Sequence, residues 1–240
     1  MEIWIYVGWS VRNGGGQQVN RVRSKAMLVV TACAAILLGS LPIPAQVKAA
    51  GSQTKAPSMD LTALKSAGSR QAPITIEVFA DYQCPQCRQF FLTTTQQLMD
   101  NYVASGKVYL IHRDFPLNMH SHSHEAALLA NAAAEAGQFE AAERALYEKQ
   151  DDWGATGKVE ATLAGALSPA DMKKVRTIEA TEMAQIDAAI QRDLALGNSR
   201  QVNGTPTIFV THAGQTTPLP AGGVNYPLLK QYLDYLLQQR

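Results

Sequence analysis

Cysteine is scarce in this 240-residue chain, with three in all, at positions 33, 84 and 87. Three cannot build a disulfide framework. A dominant charge is missing as well. Twenty-one Lys and Arg stand against twenty Asp and Glu, a formal charge of +1, so the broad electrostatic footprint of a nucleic-acid binder is absent. Beyond residue 45 the balance is 17 basic to 19 acidic residues. No internal repeat or low-complexity tract interrupts the chain. Hydrophobic content of 46% with 17% charged residues excludes a disordered or fibrous polymer. The length suits one domain with a sizeable core, or one carrying an insertion, plus some excess at an end.

That excess reads as an export signal. Arg21, Arg23 and Lys25 precede an apolar run from Ala26 to Leu41, and small residues follow at Ala45 and Ala50. A basic segment, an apolar stretch and a small residue at the end are the parts of a cleavable signal. Cleavage is expected after Ala45, with Ala50 as the second site. An uncleaved membrane anchor and a lipid attachment at Cys33 are the alternatives; the run is a little short for a span. Residues 1–20 form an extension foreign to a signal peptide, as a misassigned translation start would produce. The organisation expected is residues 1–45 as extension plus signal, 46–60 as linker, and 61–240 as one domain.

Within that domain, Ile74–Phe79 reads as a strand bounded by Pro73, and Val108–His112 as a second strand. An amphipathic helix from the first cysteine pair to about Tyr102 lies between them, so the two strands should pair in parallel. A short helix is expected at 60–67. From about 120 to 197 the pattern turns helical, with helices at 122–136 and 138–149, a turn at Trp153-Gly154, and a third helix that Ser168 caps and Pro169 opens. Strand pattern returns at Thr207–Val210 and at Thr216–Leu219, where Pro218 points to an edge. A last helix covers 226–238. The fold class expected is α/β, a small mixed sheet with an all-helical subdomain inserted in its middle.

The chemistry lies in Cys84-Pro85-Gln86-Cys87. A C-x-x-C pair serves as half of a zinc site or as a redox dithiol. Zinc needs two more ligands, and no second such pair exists. Placed at a strand-to-helix junction, Cys84 should sit exposed at the helix N-cap, where free N–H groups and the helix dipole favour its thiolate. Pro85 then fills the first helical position without wasting a donor. Cys87, one turn further on, should be more buried and able to attack a mixed disulfide formed by Cys84. Gln86 adds no charge. His120, His122 and His124 alternate at a loop-to-helix junction and read as surface or capping residues, with metal binding as the minor alternative.

Cys84-Pro85-Gln86-Cys87 on this strand–loop–helix, the helical insertion, and Val202-Asn203-Gly204-Thr205-Pro206-Thr207 before a strand together resemble the DsbA-like branch of thioredoxin-fold thiol:disulfide oxidoreductases, over roughly residues 60–240. The resemblance implies a thioredoxin-like fold with an inserted all-helical subdomain, and a cis Pro206 whose loop packs beside Cys84. It implies catalysis by Cys84 and Cys87, with Pro85, Gln86, Thr205 and Pro206 modulating the site. Many relatives carry a buried Glu six residues before the first cysteine; here Val78 holds that place. Glu77 and Asp81 are the remaining candidates for a proton relay to Cys87, Asp81 reading as a solvated loop carboxylate. No cofactor and no metal are expected. The partners implied are unfolded or partly folded exported proteins and, for an oxidase, a membrane quinone-linked redox partner. The family's isomerases usually carry an N-terminal dimerisation domain, for which residues 46–60 are too short, so a monomeric oxidase outside the cytoplasm is expected. A reductase or isomerase is the alternative.

Overall fold

The computed structural model describes residues 60–220 and 224–239. The signal sequence, Cys33 and nearly all of the linker fall outside the described residues. A single helical turn at Ala63–Lys65 leads into β1 (Ser66–Ala67) and β2 (Ile74–Ala80). The chain continues through α1 (Pro85–Phe90), a π turn at Phe91–Thr95, α2 (Gln96–Leu98) and a second π turn at Met99–Val103. β3 (Val108–Asp114) follows. The helical block then comprises α3 (Ser123–Glu135), α4 (Phe139–Glu148), α5 (Gln150–Gly154), α6 (Val159–Ala166) and α7 (Pro169–Ser199). β4 (Thr207–His212), β5 (Gln215–Pro218) and α8 (Tyr226–Gln238) complete the order.

The five strands form one sheet in the order β1-β3-β2-β4-β5. β2 pairs in parallel with β3, as the intervening helix requires, and antiparallel with β4. β3, β2 and β4 each have a strand on both sides, and β2 and β3 are buried along nearly their whole length. β5 is exposed at every position and ends on Pro218, where a missing donor costs nothing at an edge. The segment expected as a helix at 60–67 is instead one helical turn followed by a two-residue edge strand, paired antiparallel with β3. Gly68 ends it at φ +91, and a side chain there would meet the Val108 carbonyl.

Alternation along β2 divides the core. Ile74, Ile76, Val78 and Ala80 belong to the large cluster that also holds Phe90, Phe91 and the Ala-rich face of α3. Phe79 faces the other way, into a smaller cluster with Phe115, Val202 and Phe209. The Phe79 ring meets Phe115 and Phe209 edge-on, with centroids 6.1 and 5.7 Å apart. α7 runs unbroken to Ser199, and its Ser168 cap accepts the Asp171 N–H. Near its end Gly197 lies against both rings: an added Cβ would come within 2.5 Å of Phe115. Trp153 lies in a short helix rather than a turn, its indole donating to the Leu146 carbonyl at 2.8 Å. Among the described residues no helix is long and apolar enough to cross a membrane.

Candidate active site

Cys84 occupies the N-cap of α1, in extended backbone, with Pro85 as the first helical residue. It is not exposed as expected: only 6% of the residue is accessible. Two neighbouring segments cover it. The Thr205-Pro206 peptide is cis, and the Cys84 thiol donates to the Thr205 carbonyl at 3.3 Å. On the other side Gln150, from the helical block, donates to the carbonyls of Tyr82 and Cys84 at 2.6 and 3.0 Å. Pro85 and Gln86 remain on the surface.

Both cysteines are free, and their acidities diverge. The Cys84 thiol is lowered from 9.0 to about 5. The largest cause is a hydrogen bond from the Cys87 thiol; burial opposes it, and the Thr205 hydroxyl and the N–H groups of Cys87 and Gln86 add to it. The helix-start donors expected from the sequence contribute, but they rank behind the second sulfur. The Thr205 hydroxyl is buried without another hydrogen-bond partner. Cys87, 2% exposed, moves the opposite way. Burial first, and then the hydrogen bond and charge of Cys84, push its thiol well above 9.0. One proton is therefore shared unequally and stays on the inner sulfur.

The two relay candidates take different places. Glu77 points away from the sulfurs, to the Phe79 face of β2. Its carboxylate accepts from Arg113 at 2.7 and 2.9 Å and from Arg200 at 2.5 Å, and burial is outweighed by these bonds, so its pKa is lowered. The period-2 geometry of the strand makes this unavoidable once Val78 faces Cys87. Glu77 is an ion-pair residue rather than a relay. Asp81 is no solvated loop carboxylate; it is 1% exposed. Its carboxylate accepts the N–H of Gln83 at 2.7 Å and of Leu117 at 2.8 Å, and meets His120 Nδ1 at 2.7 Å. Its own N–H donates to Cys87 Sγ at 3.4 Å. A cavity of about 30 Å³ lies behind Cys87, lined by Val78, Ala80, His112, Tyr147 and Pro206 among others.

The three alternating histidines separate to three partners. His120 meets Asp81, the His122 ring lies against Gly157 while its N–H donates to Gln83, and His124 meets Asp187 at 2.8 Å. Among the described residues no group of three or more His, Cys, Asp or Glu is arranged to hold a metal.

Sequence reading missed Gln83 and Gln150, the two amides that tie the cysteine loop to the inserted helices. Gln83 donates to the Gly154 carbonyl at 2.8 Å while accepting from His122. A glutamine between Lys149 and Asp151 carries no local sign of burial. It also missed His112, which β3 places beside Val78. Burial alone would lower its pKa, yet bonds to Asp114 and Glu143 raise it to about 9.

Comparison with known proteins follows the same lines. A family model described as Thioredoxin matches residues 63–221. The chain is 31% identical over 156 residues to Na(+)/H(+) antiporter NhaA 3 of Salinispora tropica, covering 60% of this chain but only 21% of that protein. The chain thus spans about a fifth of the length of that relative. It is 25% identical to disulfide bond formation protein D of Bacillus subtilis, over 70% of each chain. The crystal structure of oxidised BdbD from Bacillus subtilis superposes with a TM-score of 0.58 at 20% identity, covering 72% of this chain and 92% of that one. Structures of DsbA proteins from Wolbachia pipientis share the same fold. A mixed five-stranded sheet, a C-x-x-C pair opening the first long helix, a cis proline beside it and a helical insertion between β3 and β4 place the chain in one group: it belongs to the thioredoxin family, with the fold of the DsbA proteins.

Proposed function

We propose that the protein is a thiol-disulfide oxidoreductase that introduces disulfides into exported proteins, working as a monomer outside the cytoplasm. Cys84 forms the mixed disulfide with substrate, and Cys87 is the inner sulfur that leaves as it forms and closes the disulfide again on reoxidation. In the oxidising direction, a substrate thiolate attacks Cys84 of the Cys84–Cys87 disulfide and Cys87 leaves. A second substrate thiolate then displaces Cys84, so the substrate keeps the disulfide and the enzyme keeps two electrons. A membrane quinone-linked partner removes them. Residues 21–45 provide the export signal that brings the enzyme to its substrates, in a compartment where disulfides persist.

The observation that carries this reading is the asymmetry of the two sulfurs. A thiolate held at a pKa of about 5 is a good leaving group, and its stabilisation favours the dithiol over the disulfide. The sign follows from linkage. Because the folded pKa lies below the unfolded value of about 8.5, the stabilisation of the reduced form is complete above that value. It is lost as pH falls through about 5. At neutral pH the disulfide is therefore the reactive, donating state. Each tenfold of thiolate stabilisation is worth about 1.4 kcal/mol, or about 30 mV in a two-electron couple.

Equilibration of the mature protein with glutathione redox buffers tests the direction. The oxidase reading predicts a potential less negative than about −180 mV, and a potential near −270 mV with a Cys84 pKa above about 7 assigns a reductase instead.

A further inference from the structure

Cys87 presents an unsolved step. To resolve a mixed disulfide it must lose its proton, and the Cys84 thiolate that otherwise shares that proton is by then covalently bound to the oxidising partner. Glu77 is committed to two arginines on the far face, and Val78 offers no acid. The titratable pair that touches Cys87 through its own backbone is Asp81–His120: the Asp81 N–H lies on Cys87 Sγ, and the carboxylate carries the His120 ring at 2.7 Å. The Asp81 side chain is fully buried, whereas the His120 side chain retains 17% exposure. The Asp81 backbone is thus against the resolving sulfur, while the His120 ring bonded to its carboxylate reaches solvent.

Charge conservation gives the pair a task. A thiol buried against the backbone of a residue that itself carries a buried carboxylate ionises at the cost of adding a further anion to the interior. If the proton released by Cys87 is matched by one taken up on the His120 imidazole, the net charge of the three groups does not change. We propose that His120 is a positioning residue for the resolving step: held on Asp81, it takes up the proton that Cys87 gives up as Cys87 attacks Cys84. In that step, which belongs to reoxidation of the reduced enzyme, the Cys84–Cys87 bond forms and the bond between Cys84 and the sulfur of its oxidising partner breaks. The partner leaves as a thiolate, and the proton resides on His120 until it exchanges with water. This assignment rests on the oxidoreductase reading of Cys84 and Cys87.

Other ionisable groups near the cysteines are held in fixed states or pairs. Tyr82 and Tyr147 are neutral, their pKa values raised by burial above all. Glu143 and His112 lie beyond those rings and pair with each other at 2.9 Å. Cys84, in the mixed disulfide, carries no charge. His120 is the partly exposed imidazole in contact with the Asp81 carboxylate.

The test separates the two chemical steps on the mature protein. Glutathione is loaded on Cys84, and its release by Cys87 is followed by stopped-flow fluorescence from pH 5 to 9; alkylation of reduced Cys84 is measured in parallel. His120→Ala and His120→Asn should slow release about tenfold at pH 7, the effect of one pH unit in the ionisation of Cys87, and should change the pH profile. Alkylation of Cys84 should stay within about twofold of the unsubstituted protein, as a step that does not use the pair. Asn can still bond to Asp81 but cannot take a proton, so full rescue by Asn would reduce His120 to a structural contact and overturn the proposal. Equal slowing of release and alkylation would overturn it as well. If His120→Ala does not fold, the Asn variant alone decides. Failure of the unsubstituted protein to accept glutathione on Cys84 would instead defeat the oxidoreductase reading itself.

Discussion

Glu77 and Val78 are neighbours on one strand and belong to two different kinds of interior. On the Glu77 side, charge is matched by charge: Arg113 and Arg200 close on the carboxylate, Arg113 also meets Asp193 at 3.1 Å, and Asp193 meets Lys65 at 3.0 Å. Lys65 is 2% exposed and also bonds Asp114. On the Val78 side the sulfurs are surrounded by apolar and aromatic side chains, and Cys84 is tuned by hydrogen bonds from Cys87, Thr205 and two N–H groups. A saturated ion network resists change, because removing one member leaves others buried without compensation. Two sulfurs sharing a proton are balanced closely enough to react. The sheet keeps these two regimes one residue apart.

Breaking the sulfur face should have the largest effect. Cys84→Ser should abolish thiol-disulfide exchange in an insulin or glutathione assay, whereas Cys87→Ser should accumulate mixed disulfides on Cys84 that are visible by intact mass. Breaking the ion face should cost stability and leave the chemistry intact. Glu77→Ala leaves two arginines facing each other and should lower the unfolding free energy by about 2–3 kcal/mol, the cost of a partly buried broken pair. The alkylation rate of Cys84 should not change. A variant stable to denaturant but altered in Cys84 reactivity would show that the two faces are not independent.

A third prediction concerns His112, whose cationic form is held between Asp114 and Glu143. Its folded pKa, about 9, lies above the ordinary histidine value of 6.5. Its contribution is therefore complete below about pH 6.5 and lost as pH rises through about 9. Chemical denaturation of a Cys84→Ser, Cys87→Ser double variant should show a decline on the order of 2 kcal/mol across that window, and adding His112→Gln should flatten it. The smallest effect is expected at Gly197. Alanine gains up to about 1 kcal/mol of helix propensity, but its Cβ must displace the packed Phe115 and Phe79 rings at an overpacking cost of about 1–3 kcal/mol. A net loss of about 1 kcal/mol by thermal unfolding is the expected balance.

These particulars also show how far the chain could be read in advance. Alternation at Ile74, Ile76 and Val78, the Ser168-capped helix after Pro169 and the last helix at 226–238 were all legible, because local period and capping chemistry determined them. β1 was not, since two residues carry no period; only its register against β3 makes it a strand. The position of the cysteine pair at a helix start was legible from Pro85 and the preceding strand. What surrounds the pair was not. Asp81 looks solvated beside Tyr82 and Gln83, and becomes buried only because the chain after β3 folds back to place Leu117 and His120 on it. The same is true of Gln150, whose carbonyl partners lie 66 and 68 residues away. Long-range hydrogen bonds leave no periodic trace.

The central claim is that the inner sulfur sets the acidity of the outer one, and one measurement addresses it directly: the pH dependence of Cys84 alkylation in the reduced protein and in Cys87→Ala. The account predicts a pKa of about 5 in the unsubstituted protein, and a clear rise when the Cys87 thiol that donates the largest stabilising bond is removed. A pKa above about 7 in the unsubstituted protein, or one that stays put in Cys87→Ala, would contradict it.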